Sequence, residues 1–329
     1  MTAHFFSGLF TPPRARSKNP GGIEISERWV KYLELVSRGT HREIGTYGRV
    51  ALSAGVIVDG DIRDASAVMK ALAEVRSRTH LSEVHASLPD AKARLFTVVV
   101  PHGTKALLAE DIALPLSEHS PLPFGETVFG YEEIFSGSRA SSRTVVVAAF
   151  PKKIAGEYRK VFDAAGFTVL SLELASQAAA RVAAFSRPPS VHEARLIIGI
   201  ASSETIFSIV HRGTVCFTTT AKSDLRPSTS LNMHAANLLP EVNRIRMFWH
   251  ARPAHAERDG GITSAVIYGD GTDIDSLAKH LSLASGMPVS PVDFRAVLGA
   301  GTIPPMQKEE SPAYAVALGL ALKAGKSRR

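Results

Sequence analysis

The stretch RLIIGIASSETIFSIVHRGTVCFTT, residues Arg195 to Thr219, is the part of the sequence that decides the fold. It predicts two or three strands joined by tight turns. Leu196 to Ile200 is a short apolar run, and Thr205 to Val210 is rich in β-branched and apolar residues. The turn His211-Arg212-Gly213 then precedes a further run, Val215 to Thr219. The pattern indicates a β-meander in the middle of the chain.

A second stretch near the start has the same pattern. Ile23 to Leu35, IEISERWVKYLEL, reads as an apolar strand, a polar turn and a second strand. Two such openings in one chain indicate two similar halves. The segment Arg187-Pro-Pro-Ser190 lies between them and predicts a hinge, because proline disfavours continuation of a helix.

Strands alternate with helices through the rest of the chain, which predicts an α/β protein with a mixed sheet in each half. The predicted helices are Ala65 to Arg78 with Asp64 as N-cap, one within Thr104 to Glu118, Glu157 to Ala165, Ala175 to Phe185, Asn237 to His250, Ile274 to Ala284 and Tyr314 to Ala324. The further strands are Arg49 to Leu52, Val84 to Leu88, Ala93 to Val100, Thr127 to Ile134, Thr144 to Phe150, Val169 to Leu172 and Ser264 to Tyr268. From Leu95 to Phe150 the order is strand, helix, strand, strand, which predicts an inserted subdomain.

Length and composition set the broad class. A chain of 329 residues with 45% hydrophobic and 21% charged residues has room for two domains and a sizeable core. Its single cysteine, Cys216, excludes an internal disulfide and indicates a reducing compartment. No apolar run reaches the ~18 residues of a membrane span, so we expect a cytoplasmic protein.

The formal net charge of +7 is concentrated partly at the ends of the chain, in Arg14 to Lys18 and Lys323 to Arg329. Such ends suit an anionic membrane surface, and flexible solubilising tails are the alternative. The segment His4 to Phe10 carries three phenylalanines, which suit contact with lipid or a partner, or packing onto the chain's own domain. Residues 1–22 are interpreted as an N-terminal tail.

Three kinds of chemistry find no support. The histidines lack metal-ligand spacing and a cysteine partner, so we predict no metal site of their own; they include His80, His85, His234, His250, His255 and His280. Ser202 and Ser203 have no nucleophile-elbow context, so we predict no catalytic serine. Arg244 and Arg246 alternate with apolar residues on one helix without a stacking platform, so we predict no nucleic-acid partner.

With these pieces in place, almost the whole chain resembles the type IV pilus assembly protein PilM family, relatives of the cell-division protein FtsA. The matching segments are Ile23 to Leu35, Leu88-Pro89 followed by Phe96 to Pro101, Ser120 to Phe124, Ala164 to Phe167 leading to Leu172 to Ala178, Leu239 to Trp249 and Ala315 to Gly319. The resemblance implies an actin-like (ribonuclease H-like) α/β fold of two lobes. Residues 23–94 and 151–186 would form the first actin-like subdomain, 95–150 the inserted one, and 187–329 the second half.

In actin-like ATPases the two hairpin turns hold the phosphates of a nucleotide, and this chain departs from that pattern. The family's Asp-Ile-Gly falls on Glu24, Ile25 and Ser26, so the glycine is missing. The Asp and Gly of the second hairpin fall on Gly199 and Ala201, so a carboxylate that would orient hydrated Mg²⁺ is missing. A deletion between Thr220 and Asn237 leaves room for a loop where the family builds a small helical subdomain.

By family position, the candidate nucleotide contacts follow from these motifs. They are Glu24, Ser26, Lys31, Ser202, Ser203, Gly269 and Gly271. Glu24 would hold a metal through water, and Lys31 would contact phosphate; a hairpin acid and a strand lysine are the structural alternatives. We expect no catalytic residue, no ATP hydrolysis and no cofactor, with an ATPase that still binds ATP and Mg²⁺ as the alternative.

The resemblance also implies a partner. PilM-family proteins hold the cytoplasmic tail of the inner-membrane protein PilN in a groove between the first subdomain and the insert. Here Phe96, Val98 and Val100 would line that groove. We therefore expect a scaffold at the cytoplasmic face of the inner membrane, within a pilus or secretion platform, with self-association left open.

Overall fold

The computed structural model describes residues 20–38, 41–101, 111–112, 115–116, 118, 122–136, 142–186, 193–222, 230–251, 261–270, 273–298 and 306–323. The chain divides into two compact units. The first comprises Met1–Glu34, Thr46–Ala175 and Leu320–Arg329, and the second comprises Leu35–Gly45 and Ser176–Gly319.

Strands and helices alternate along the described residues. The strands are β1 (Gly21–Ile25), β2 (Trp29–Arg38), β3 (His41–Ala51), β4 (Ile57–Val58), β5 (Asp61–Ile62), β6 (Glu83–Leu88), β7 (Arg94–Pro101), β8 (Thr127–Ser136), β9 (Ser142–Pro151), β10 (Thr168–Leu174), β11 (Ala194–Ile200), β12 (Glu204–His211), β13 (Thr214–Lys222), β14 (Ile262–Gly269) and β15 (Val289–Pro291). The helices are α1 (Ala65–Arg78), α2 (Lys152–Ala164), α3 (Ala175–Ser186), α4 (Leu231–His250), α5 (Ile274–Ser285), α6 (Arg295–Leu298) and α7 (Ala315–Lys323).

The first sheet has five strands in the order β10-β6-β1-β2-β3. β1 runs antiparallel to β2 as a hairpin and parallel to β6, and β6 runs parallel to β10. One face carries the core of the first unit, in which α1 and α2 contribute Val68, Leu72, Tyr158 and Phe162. Each of these fully buried side chains stabilises the fold by roughly 1.5–3 kcal/mol relative to exposure.

Helix α1 follows the sequence prediction at both ends. The pattern predicts Ala65 to Arg78 with Asp64 as N-cap, and the structure confirms it. The Asp64 carboxylate accepts a hydrogen bond from the Ala67 backbone N–H at 3.0 Å, which satisfies one of the unpaired donors at the helix start.

The second sheet also has five strands, in the order β13-β12-β11-β14-β15. β11, β12 and β13 are successive antiparallel neighbours, which confirms the predicted meander. β14 runs parallel to β11, and β15 runs parallel to β14. The two halves therefore each have their own sheet, as the repeated hairpins predict.

The segment predicted as an insert forms a separate three-stranded antiparallel sheet with the order β7-β9-β8. Of the helix predicted within Thr104 to Glu118, residues 111–112, 115–116 and 118 are described, and all are helical. Ile112 and Leu116 are buried against this sheet. The insert thus has a small core of its own within the first unit.

The start of helix α4 differs from the prediction. Helix α4 begins at Leu231, because the Ser230 hydroxyl caps it by accepting from the Met233 N–H, and Pro240 lies inside the helix. The sequence prediction placed the start of this helix near Asn237, six residues later. Eight residues, 223–230, therefore separate strand β13 of the meander from α4.

The units divide at Ala175, so α3 from Ser176 onward belongs to the second unit instead of the first. Contacts at its far end account for this, because the Ala183 carbonyl accepts from the Arg195 guanidinium at the start of β11, 3.2 Å away. Leu320–Arg329 also groups with the first unit and not with the second half. The predicted hinge, Arg187 to Ser190, lies outside the described residues.

Candidate functional site

The first hairpin turn is held by hydrogen bonds between its own residues. Both the backbone N–H and the hydroxyl of Ser26 donate to the Trp29 carbonyl, at 2.9 and 3.1 Å. The Glu27 carboxylate accepts from the Asp59 N–H at 3.2 Å. A phosphate-binding turn presents its N–H groups to the anion. The Ser26 N–H instead donates its hydrogen bond within the hairpin.

Glu24 and Lys31, both predicted as nucleotide contacts, lie directly opposite each other on β1 and β2. The Lys31 ammonium is 3.8 Å from the Glu24 carboxylate, and the exposed fractions of the two side chains are 4% and 12%. This distance is an ionic contact and not a hydrogen bond. The structure therefore brings the pair together as mutual counterions on a buried face.

Three further residues extend this pair across the sheet, and the sequence analysis missed them. Ser87 on β6 accepts from the Ile25 N–H at 3.3 Å, and Glu173 on β10 is the register partner of Ser87. The Lys323 ammonium, at the end of α7, lies 3.0 Å from the Glu173 carboxylate, which has 0% exposed surface. We call the five residues Lys31, Glu24, Ser87, Glu173 and Lys323 the charge row.

The charge row lies on one face of the first sheet. Ile23, Ala86 and Leu172 are in the core on the other face, and alternate residues of a strand point to opposite faces. β1, β6 and β10 are parallel, so their carboxyl ends lie at the same edge. Glu173, an acid in the apolar run VLSLELAS, was the signal in the sequence, and its partner Lys323 is distant in the chain.

The second hairpin turn lacks room for the family's carboxylate. Ser202 and Ser203 are exposed in this turn, and the Ala201 N–H donates to the Glu204 carbonyl at 3.0 Å. Gly199 is paired with Tyr268 on β14, and a Cβ at position 199 would lie 2.5 Å from the Tyr268 hydroxyl oxygen. Buried Tyr268 therefore fills the space that an aspartate side chain would need.

At Gly269, predicted as a nucleotide contact, the backbone conformation requires glycine. Gly269 has φ +128°, and a Cβ there would lie 2.1 Å from the Ile200 carbonyl oxygen. Only glycine permits this approach of β14 to β11. Gly271 lies outside the described residues. The next helix, α5, is capped by Asp273, and the hydrogen bond from the Ser276 N–H lowers the pKa of that carboxyl.

The residues predicted to line a partner groove belong to the core of the insert. Phe96 and Val100 are buried in the insert's own core with Ile112 and Leu116, and Val98 packs against the same core. The helical segment at Ile112 and Leu116 covers the face of β7 on which these side chains lie, and a partner groove beside them stays a prediction. Val99, which points to the opposite face of β7, is 67% exposed.

A divalent metal with bound phosphate does not fit the side chains of these turns. The carboxylates of Glu24 and Glu173 each have an ammonium partner, and position 199 has no carboxylate. Within the described residues, no group of three or more His, Cys, Asp or Glu side chains is arranged to hold a metal ion. Among the same residues, no helix combines the length and apolarity needed to cross a membrane.

Two units, each built on a mixed five-stranded sheet that opens with a hairpin, define an α/β protein with the actin-like fold. The family model "Type IV pilus assembly protein PilM" matches residues 22–223, so the chain belongs to the PilM family. No curated protein sequence gives a match.

Solved structures agree on the fold. The chain is similar to a protein in a structure titled "PilM-PilN type IV pilus biogenesis complex", with a TM-score of 0.77 and 18% identity, covering 95% of this chain and 99% of the other. It is also similar to the ethanolamine utilization protein EutJ from Carboxydothermus hydrogenoformans, with a TM-score of 0.52 and 11% identity, covering 96% and 95% of the two chains.

Proposed function

We propose that this protein is a cytoplasmic scaffold of a type IV pilus or related secretion system. In this role it binds the cytoplasmic tail of a PilN-like inner-membrane protein and does not hydrolyse ATP. The observation that carries the proposal is the match to the PilM family together with the fold it shares with the PilM–PilN complex over nearly its full length.

The insert offers a surface for an extended tail. Among the described strands, β7 lies at the edge of its sheet, and an edge strand can pair with an added strand through backbone hydrogen bonds. Val99 gives that edge an exposed apolar side chain beside exposed Thr97 on β7. An apolar tail residue packed on Val99 would add hydrophobic contact to the backbone pairing.

The two ends of the chain support a position next to the membrane. Each basic residue close to an anionic surface contributes about 1 kcal/mol of attraction. Lys323 forms an ion pair with Glu173. The attraction to the membrane from the C-terminal end therefore comes from Lys326, Arg328 and Arg329, and it adds to that of Arg14 to Lys18. The partner's tail and these charges would together hold the complex at the cytoplasmic face of the inner membrane.

The turns support the absence of hydrolysis. Ser26 uses its N–H within the hairpin, and Gly199 stands where the family's metal-orienting aspartate falls. Both features remove groups that would stabilise charge on a transferred phosphate. The alternative, an actin-like ATPase, would need those groups from elsewhere in the chain.

The partner is tested by co-expression with a PilN-like single-span membrane protein as the candidate partner. We expect the chain to co-fractionate with the membrane when the partner is intact, and to remain soluble when the partner's N-terminal tail is deleted. Recovery in the soluble fraction regardless of the tail would contradict the proposal.

The binding edge is tested with Val99→Glu, and Leu283→Glu on α5 is the matched control. Leu283 is 85% exposed and Val99 is 67% exposed, so the control places the same charge on another exposed apolar position, in the second unit. We expect Val99→Glu to weaken binding of the tail peptide at least tenfold, about 1.4 kcal/mol, because it buries a charge at the contact. Equal affinities of the two variants would exclude β7 as the binding edge.

A further inference from the structure

We propose that Lys31 and Lys323 are built-in counterions that take the place of a divalent metal at the carboxyl end of the first sheet. This inference concerns the charge row alone and does not depend on the partner proposed above. It assigns a role to Lys323 and Glu173, two residues that the family's nucleotide motifs do not contain.

The charge row contains two ion pairs. It contains two carboxylates, Glu24 and Glu173, and two ammonium groups, each within ionic contact of one carboxylate. Ser87 lies between the two acids, and its hydroxyl is tied to the Ile25 N–H. Each carboxylate of the charge row therefore has an ammonium group of the same chain as a counterion.

The burial of Glu173 makes its ion pair important for stability. Glu173 has 0% exposed surface, and a buried carboxylate without a counterion carries a large desolvation cost. In a metal-dependent site a divalent cation offsets that cost, so the site gains stability when the metal binds. Here the Lys323 ammonium lies 3.0 Å from Glu173 and supplies the positive charge without a metal.

The same charges act against a metal. A divalent cation placed between Glu24 and Glu173 would approach both ammonium groups, and the like-charge repulsion would oppose it. The first unit should therefore be fully folded without metal or nucleotide. A metal would find a site only after a lysine is removed.

The test compares thermal unfolding of the full-length chain in EDTA, in millimolar MgCl₂ and in millimolar MgCl₂ with ATP. For wild type we expect the same midpoint in all three. Lys323→Met removes the Lys323 ammonium from the buried Glu173 carboxylate, and we expect the unfolding midpoint of this variant in EDTA to fall by more than about 5 °C. MgCl₂ should recover part of this loss.

The matched control is Lys308→Met. Lys308 is 53% exposed and lies 3.9 Å from Asp275, so the substitution removes a surface ion pair. We expect a change of less than about 2 °C. The double variant Glu173→Gln/Lys323→Met removes both charges and should recover most of the midpoint that Lys323→Met loses.

Three results would overturn the inference: a wild-type midpoint raised by MgCl₂ or by Mg-ATP, a Lys323→Met midpoint as little changed as that of Lys308→Met, or a double variant no more stable than Lys323→Met. If Lys323→Met does not fold, the inference is tested by the stability of the double variant and by the response of the wild-type midpoint to Mg²⁺. None of these measurements involves the tail, so a failure here leaves the tail-binding proposal to its own test.

Discussion

The phenol of Tyr268 occupies the position where a side chain on Gly199 would begin. The two residues are register partners on β11 and β14, and a Cβ on Gly199 would lie 2.5 Å from the Tyr268 hydroxyl oxygen and 2.6 Å from Cζ. Tyr268 is itself buried, so its ring has little space into which to move. The family's aspartate position is therefore closed by packing in this protein.

We predict that Gly199→Ala lowers the free energy of unfolding by about 1–3 kcal/mol, because overpacking forces the Tyr268 ring from its position. In a Tyr268→Val background the same substitution should cost much less, since the ring is gone. Urea unfolding of the four proteins in this double-mutant cycle measures the difference. Equal costs in both backgrounds would show that Tyr268 does not limit position 199.

Gly269 should tolerate substitution less well than Gly286. Both have positive φ, but a Cβ on Gly269 meets the Ile200 carbonyl oxygen at 2.1 Å, whereas nothing lies within 4 Å of a Cβ on Gly286. We expect Gly286→Ala to cost about 1 kcal/mol from backbone strain, and Gly269→Ala to cost at least twice as much. Thermal unfolding of the two alanine variants tests the order. The reverse order would be inconsistent with a backbone clash at position 269.

Tyr158 on α2 links the helix to the β4–β5 turn. Its hydroxyl donates to the Gly60 carbonyl at 3.1 Å, and burial together with the nearby charge of Asp61 raises the pKa of the phenol. We predict that Tyr158→Phe costs about 1 kcal/mol at neutral pH, because the Gly60 carbonyl loses its donor.

The raised pKa also gives the sign of a pH effect. The folded state holds the phenol proton more tightly than the unfolded chain, so the unfolded state loses its proton first as the pH rises past about 10. The stability that Tyr158 contributes is complete below that pH and declines above it. The difference in unfolding free energy between wild type and Tyr158→Phe should therefore shrink at alkaline pH. A constant difference would contradict the raised pKa.

Nucleotide binding is predicted to be negligible. Calorimetry with Mg-ATP should give no heat of binding, or a Kd weaker than about 0.1 mM, which corresponds to less than roughly 5.5 kcal/mol. The reason is the loss of the second aspartate at Gly199 and the closed turn at Ser26. Micromolar binding or measurable turnover would instead favour the ATPase alternative.

Local sequence signals sufficed to predict most of the helices and longer strands and their order. Helix α1 with its Asp64 cap and the meander β11–β13 follow from local signals, because capping residues, turn glycines and β-branched runs act within a few residues of the chain. The duplicated hairpins also sufficed to predict the α/β class with a sheet in each half. The sequence analysis assigned Glu24 and Lys31 separate roles, and the register of β1 and β2 in the structure places them opposite each other.

Only the tertiary structure decided what the remaining site residues contact. Glu173 and Lys323 are far apart in the chain, and no local pattern relates an acid at the end of a strand to a lysine at the end of the last described helix. The alternation of side chains along β7 does not show which face of the strand is covered. The packing of the helical segment at Ile112 and Leu116 determines it. Local patterns also could not show that position 199 has no room for a side chain. That follows only from the pairing of β11 with β14, which places Tyr268 beside Gly199.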